Sequence, residues 1–333
     1  MNTISYITTC TPLRVSFAGG GTDFADFYER DVGAVFSTTI DKHIFVTVKR
    51  MSPLYHEAYR LNYSEVESVN SLDEIRNNIA RECLRLLPVE PPLYVSTIAD
   101  LPAASGLGSS SSFAVGLLQA LHALRGERVS YAQLAEEAAY VEIVSLGQPI
   151  GKQDQFAAAF GGLNLIAFRK NGRVTVEPQP LPAAEISRLF DHILMFWTGM
   201  TRESGEILRE QKERMEDHFD MLVTMREQAY ELNELINGTF DPYVFGRVLD
   251  AGWESKKQLA STITTSEIDK WYQRACDAGA YGGKLCGAGG GGFLLLIATP
   301  DHQPQIRSAL AELPELTVGY EPNGVRTLIP IVE

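Results

Sequence analysis

Gly106-Leu107-Gly108 runs straight into four consecutive serines, Ser109 to Ser112, and an apolar helical pattern begins behind them. A helix start exposes backbone N–H groups with no internal partner, and the peptide dipoles add about half a positive charge there. Glycines let several such groups converge on one anion, and serine hydroxyls add donors that also ligate magnesium. The stretch can therefore cradle a phosphate. It is not a Walker A loop, because GxxxxGK[ST] is absent. Read by itself, it is equally a glycine-serine turn with Ser109 as N-cap. Two more glycine stretches shift that balance. "TPLRVSFAGGGTD" (11–23) leads a strand into three glycines, and "KLCGAGGGGF" (284–293) sets a small-residue loop before a strand. Three such stretches in one chain suggest a backbone that approaches a ligand from several sides.

The elements that must position these loops are legible in outline. "LRVSF" (13–17), "AVFSTT" (34–39), "HIFVTVKR" (43–50) and "PLYVSTI" (92–98) have strand composition. The last leads into the serine loop and then a helix with Phe113, Leu117, Leu118, Leu121 and Leu124 on one face. Ser130 and Gln133 predict a capping box for a second helix, which runs to about Leu146 and stops at Gly147-Gln148-Pro149. Residues 163–168 and 174–178 predict a hairpin around Asn171-Gly172. Composition changes near 178–185, where a domain boundary is expected. Beyond it come a strand at 192–197, one or two long helices over 202–236 ending at Asn237-Gly238, a helix near 266–278, and the glycine loop feeding a buried strand. Strands and helices mix in both halves without regular alternation, so the class is α/β or α+β.

Composition narrows the partners. The chain has 333 residues, 45% apolar and 21% charged, with a net charge of −13. That length predicts two domains at roughly 100–200 residues each. The acidic balance argues against nucleic acid or an anionic membrane as partner. No apolar run approaches the ~20 residues of a membrane span, and no signal peptide is evident. Cys10, Cys83, Cys276 and Cys286 show no CxxC spacing, which predicts reduced thiols and a cytosolic setting. The six histidines show no metal-binding spacing. Apolar residues in the 202–236 helices would serve either a core or a homodimer surface.

The three glycine stretches together resemble the three motifs of the GHMP kinases, in order and spacing over nearly the whole chain. The PxxxGLGSS pattern starting at Pro102 is the most specific, and "LRVSFAGGGTD" is similar to the branch acting on the anomeric hydroxyl of sugars. The resemblance implies an α+β fold of two domains. Residues 1–182 would be like ribosomal protein S5 domain 2, and 183–333 would be ferredoxin-like, with ATP and sugar meeting in the cleft between. It implies that Ser105, Gly106, Leu107, Gly108, Ser109, Ser110 and Ser111 hold the ATP phosphates, with Gly287, Gly289 and Gly290 against them. Magnesium would fall to Ser110 and Glu142, although an acidic residue among Tyr140, Val141, Ile143 and Val144 is otherwise read as a solvated or half-buried helix position. Asp154, otherwise a helix cap, becomes the carboxylate that orients the acceptor hydroxyl and takes its proton. Arg14 would stabilise developing charge, its alternative being a strand salt bridge. Gly20, Gly21, Thr22, Asp23, Thr198 and Arg202 would meet the sugar, and Lys152, Arg202 and Lys284 are candidate partners for a phosphate already on it. The expected reaction is phosphorylation of a heptose 7-phosphate at C1, giving the 1,7-bisphosphate. Fucose, galactose or mevalonate are alternative acceptors, and a catalytically silent sugar sensor is the alternative of a different class.

Overall fold

The structure, a computed structural model, describes residues 4–201 and 204–332. In its first part, β1 (Ile4–Ala18), a short α1 (Ala25–Tyr28), β2 (Gly33–Arg50), β3 (Tyr59–Asn62), β4 (Val66–Val69), α2 (Asn78–Leu86) and β5 (Leu93–Ala99) come first. They are followed by α3 (Ser109–Leu124), α4 (Tyr131–Ala139), α5 (Gln153–Phe160), β6 (Leu163–Phe168) and β7 (Val174–Pro178). The second part holds α6 (Ala183–Asp191), β8 (Ile193–Trp197), α7 (Ser204–Glu213), α8 (Phe219–Asn237), α9 (Pro242–Lys256) and α10 (Ser266–Asp277). It ends with β9 (Gly282–Leu285), β10 (Phe293–Ile297), α11 (Gln303–Ala309) and β11 (Arg326–Val332). The fold class is α+β, as expected. Among the described residues no helix is long and apolar enough to cross a membrane.

An eight-stranded sheet runs β11-β1-β2-β5-β3-β4, with β6 on β2 and β7 on β6; a three-stranded sheet runs β8-β10-β9. The expected strands at 34–39 and 43–50 are one strand, β2. Its first half pairs with β6 and its second half with β5, while β1 pairs along both. A register shift between Pro12 and Leu13 bends β1 just before Arg14. The hairpin at Asn171-Gly172 is present, with both residues at positive φ. Helices α3 and α5 pack on the large sheet, α2 lies against α3 and α4 against both α3 and α5, and α3 is buried almost all round.

Two departures from the expected organisation follow from packing. The second unit does not extend from residue 183 to the chain's end, because β11 returns to pair antiparallel with β1 in the first sheet. Helix α8 also serves both cores: Leu232 and Ile236 join the first, Leu222 and Met225 the second. The expected helix from Tyr131 to Leu146 stays α-helical only to Ala139, and Tyr140–Ser145 form a π-turn with Leu146 N–H donating to Val141 O at 3.0 Å. Half of the capping box forms: Ser130 accepts from Gln133 N–H at 3.2 Å, but the Gln133 side chain donates to Glu137.

The returning segment is pinned at Glu321. Its carboxylate receives Arg326 Nη2 at 3.0 Å, His43 Nε2 at 2.9 Å and both nitrogens of Asn323 at 2.9 Å. Burial pushes this carboxyl up, but the hydrogen bonds from Arg326, the Asn323 backbone, His43 and the Asn323 side chain bring it down from 4.5 to about 2. A depressed carboxylate stabilises the fold above its unfolded pKa and loses that contribution as pH falls through the folded value. Glu321→Gln should therefore melt lower than wild type near neutral pH. The gap should close between about pH 4.5 and pH 2 in a thermal series.

Candidate active site

The glycine loops meet because their residues lack a Cβ. A Cβ on Gly106 would stand 2.6 Å from Cys286 O, and one on Gly287 would stand 2.5 Å from Gly106 Cα. Both residues have positive φ, +82° and +72°, which costs an L side chain roughly 1–2 kcal/mol. Gly108 takes the left-handed position directly before α3. The first intrahelical bond runs from Ser112 N–H to Gly108 O at 3.0 Å, so the amides of Ser109, Ser110 and Ser111 precede it and face the cleft mouth.

Arg14 ties this cradle to the acid across the cleft. Its Nε and Nη2 donate to the two carboxylate oxygens of Asp154 at 2.7 and 2.6 Å, and its Nη1 donates to Gly106 O at 2.8 Å. The Arg14 N–H also donates to Leu107 O at 3.1 Å. The bidentate pair fixes the Asp154 carboxylate plane, as such forks do. The salt-bridge reading of Arg14 is thus correct in geometry, but the pair sits in the cleft wall and not on an exposed strand.

Glu142 lies on the π-turn with no exposed surface, behind the serine run. A π-turn inserts an extra residue into the helix and re-aims its side chains, and such turns are frequent at functional sites. Here Glu142 receives Ser110 Oγ at 2.5 Å, Ser111 Oγ at 2.7 Å and Gln155 Nε2 at 2.6 Å. Burial raises its pKa, the three hydrogen bonds oppose that, and the Asp154 charge adds to it. Asp23 is also raised by burial; the Gln153 N–H opposes this and the Asp154 charge reinforces it. The donor set fits magnesium: hard oxygens from one hydroxyl and one carboxylate, with phosphate and water to complete the shell. Among the described residues no cluster of three or more His, Cys, Asp or Glu could hold a metal alone.

A cleft of about 910 Å³ joins these parts. Of the residues expected at the site, it brings together Arg14, Gly20, Gly21, Asp23, Gly106, Gly108, Ser109, Ser110, Ser111, Asp154, Lys284, Gly287 and Gly289. Others are turned away. Ser105 and Leu107 are fully buried, and Leu107 anchors the loop through its carbonyl and core side chain. Thr22 is buried, its hydroxyl engaged with Gly19 O at 2.8 Å and Ala34 N–H at 3.0 Å. Thr198 is buried and donates to Gly292 O at 2.8 Å. Lys152 lies off the cleft and pairs with Glu136 at 2.8 Å. Arg202 lies outside the described residues. Asp23 reaches the wall, but its carboxylate already receives Gly21 N–H, Gln153 N–H and Gln153 Nε2 at 3.0–3.2 Å. It clamps the first glycine loop to the start of α5, and Gly151 is needed beside it, since a Cβ there would lie 2.0 Å from Asp23 Oδ2.

Gly290 is likewise structural. Its N–H donates to Ile263 O at 2.8 Å, it is buried, and it does not line the cleft. Its φ is +74°. Gly290→Ala is expected to lose roughly 1–2 kcal/mol of stability by chemical denaturation while KM for nucleotide stays at the wild-type value. A raised KM without lost stability would return Gly290 to the cleft wall.

Three residues in or behind the cleft wall escaped the sequence reading. Lys256 ends α9 and donates to Gly287 O. The signal was present: Leu249, Trp253 and Lys256 share the buried stripe of α9, where a lysine is out of place. Gln155 holds Glu142, and Gln153 lines the cleft with its Oε1 lacking a hydrogen-bond partner. No motif marks either glutamine.

A glycine-serine loop at a helix start and a carboxylate–guanidinium pair thus line one cleft. Residues 73–162 match the family described as GHMP kinases N terminal domain, and residues 232–315 match GHMP kinases C terminal. The chain is 31% identical over 316 residues to the D-glycero-alpha-D-manno-heptose 7-phosphate kinase of Campylobacter jejuni, covering 91% of this chain and 93% of that one. It is 26% identical to the galactokinase of Pyrococcus furiosus, covering 92% and 93%. A crystal structure described as a D-glycero-D-manno-heptose 1-phosphate kinase from Bacteroides thetaiotaomicron superposes with a TM-score of 0.79 at 23% identity, over 97% of this chain and 99% of that one. The chain belongs to the GHMP kinase family. It is an ATP-dependent phosphotransferase whose acceptor is the hydroxyl of a small molecule.

Proposed function

We propose that this kinase phosphorylates the anomeric hydroxyl of a heptose 7-phosphate, giving the 1,7-bisphosphate for nucleotide-activated heptose. The observation that supports the chemistry most is Arg14: one side chain touches both the carboxylate of Asp154 and the carbonyl of Gly106. An acceptor at Asp154 and a triphosphate over Gly106 to Ser111 are then held a side chain apart. The sugar preference rests on the Campylobacter jejuni relative. The first glycine stretch agrees with it by its similarity to sugar 1-kinases.

Phosphoryl transfer is mostly positioning and charge neutralisation. In this reading the amides of Ser109, Ser110 and Ser111 bind the phosphates, and Gly287 and Gly289 line the cleft beside them. Ser110 and Glu142 would hold magnesium, which supplies neutralisation of phosphate charge when bound. Asp154 orients the anomeric hydroxyl and accepts its proton as the new O–P bond forms and the bond from the γ-phosphorus to ADP breaks; Arg14 keeps its carboxylate aimed. Gln153 lines the cleft near Asp154, and Asp23 fixes it through Gln153 Nε2. Gly20 and Gly21 line the cleft, and a Cβ on Gly21 would stand 2.4 Å from Gln211 Nε2, so that glycine makes way for Gln211. The cytosol, where ATP is supplied, is the setting we assign.

An ADP-release assay over a sugar panel tests this. The expected result is the highest kcat/KM with D-glycero-D-manno-heptose 7-phosphate, above the unphosphorylated heptose, fucose, galactose and mevalonate. Preference for an unphosphorylated sugar would reassign the acceptor. Binding without ADP release on any sugar would make the protein a sensor.

A further inference from the structure

Two ammonium groups of the second unit meet the cleft with no carboxylate beside them. Lys256, from the last turn of α9, and Lys284, from β9, are each 9% exposed and both line the cavity. Lys256 Nζ donates to Gly287 O, and Lys284 Nζ donates to Ser16 O at 2.8 Å and Phe17 O at 3.0 Å. An ammonium has three donors. Among the described residues, two on Lys256 and one on Lys284 therefore lack a protein acceptor, and neither lysine forms an ion pair. Buried lysines are almost always paired, because an uncompensated charge away from water is costly. Here the neighbours add to the problem: the groups facing the two lysines are each other, Arg14 from β1, and the Cys286 thiol. Burial first, then the Lys284 and Arg14 charges, lower Lys256 to about 7; burial and Arg14 lower Lys284 to about 8.

We infer that Lys256 and Lys284 form a seat for a phosphoryl group, gripping it from the second unit opposite the α3 cradle. The counter-charge and acceptors missing from the protein are those a phosphate supplies. Two sources have this chemistry: the terminal phosphate of the nucleotide and the phosphate already carried by the acceptor. The second source rests on the heptose 7-phosphate reading. An anion arriving between the lysines raises their pKa, so binding takes up protons from solution.

Calorimetry on the whole protein near pH 8, in two buffers of different ionisation enthalpy, reads that uptake. Phosphate monoesters are dianions there, with a second pKa about 6, and contribute no proton themselves. The probes are ATP with Mg²⁺ against ADP with Mg²⁺, and D-glycero-D-manno-heptose 7-phosphate against the unphosphorylated heptose. Uptake of about one proton with ATP and not ADP seats the nucleotide's terminal phosphate; uptake with the sugar phosphate alone seats the acceptor's own. In either case Lys256→Met and Lys284→Met should reduce the uptake and weaken that ligand by roughly 10–100-fold. Methionine suits a buried site, and the wild-type proton count stands even if a variant folds poorly. ATP and sugar phosphate that bind wild type with no uptake, and bind folded methionine variants equally well, would overturn the inference and leave the lysines as loop pins. A sugar phosphate that neither binds nor is phosphorylated would instead sink the substrate reading, while the ATP arm still decides the lysines.

Discussion

Asp154→Asn is expected to lower kcat by roughly 10²–10⁴-fold, the usual worth of a positioned base, with KM for ATP changed by less than about threefold. Asparagine keeps the shape but cannot accept a proton from the sugar hydroxyl. It also replaces one of the two oxygens that receive Arg14 with an NH₂ group, which donates and cannot accept. Arg14, 5% exposed, then keeps one partner fewer beside Gly106 O, and a lower melting temperature should accompany the lost turnover. Steady-state kinetics beside a melting curve separates the two effects. If kcat is kept while KM for the sugar rises, Asp154 binds the acceptor and does not take its proton. If both are unchanged, Asp154 is only the partner that holds Arg14 in place.

The second large effect belongs to Gly106→Val. Its Cβ would stand 2.6 Å from Cys286 O and 3.0 Å from Cys286 C, both backbone atoms that no rotamer can move. The φ of +82° adds the cost of a left-handed β-branched residue. Together with overpacking, the expected loss is roughly 2–5 kcal/mol. The two glycine loops would part, and with them the carbonyl of Gly287 that Lys256 holds. ATP binding by calorimetry should disappear at temperatures where the variant is still folded by circular dichroism. A folded variant that binds ATP normally would mean that the contact between the loops is incidental to the phosphate site.

How much of this could be read from residue types depended on how local the cause was. The cradle was legible because a glycine pair, a serine run and an apolar helix face are all adjacent in the chain. The hairpin at Asn171-Gly172 was legible for the same reason. Glu142 was visible only by resemblance, since its burial depends on a π-turn that periodicity at 3.6 residues cannot signal. Thr22 reads as a sugar contact because it stands in a glycine motif, and Thr198 because its stretch resembles the sugar-kinase branch. The structure uses both hydroxyls to tie loop carbonyls, a demand set by partners at Gly19, Ala34 and Gly292. Strand β2 read as two strands because Asp41 and Lys42 interrupt the apolar pattern, yet the backbone continues through them. The return of β11 to β1 and the double service of α8 are long-range pairings with no local signature. Lys256 is the instructive omission, a cation on an apolar stripe whose reason for burial lies in the cleft and not in its own helix.

The most direct test is a crystal structure with a non-hydrolysable ATP analogue, Mg²⁺ and the sugar acceptor. The expected complex has the triphosphate over Gly106 to Ser111, with Asp154 still joined to Arg14 and within hydrogen-bond reach of the acceptor hydroxyl. A triphosphate seated away from the serine run, or an Asp154 carboxylate turned from the sugar into solvent, would contradict it.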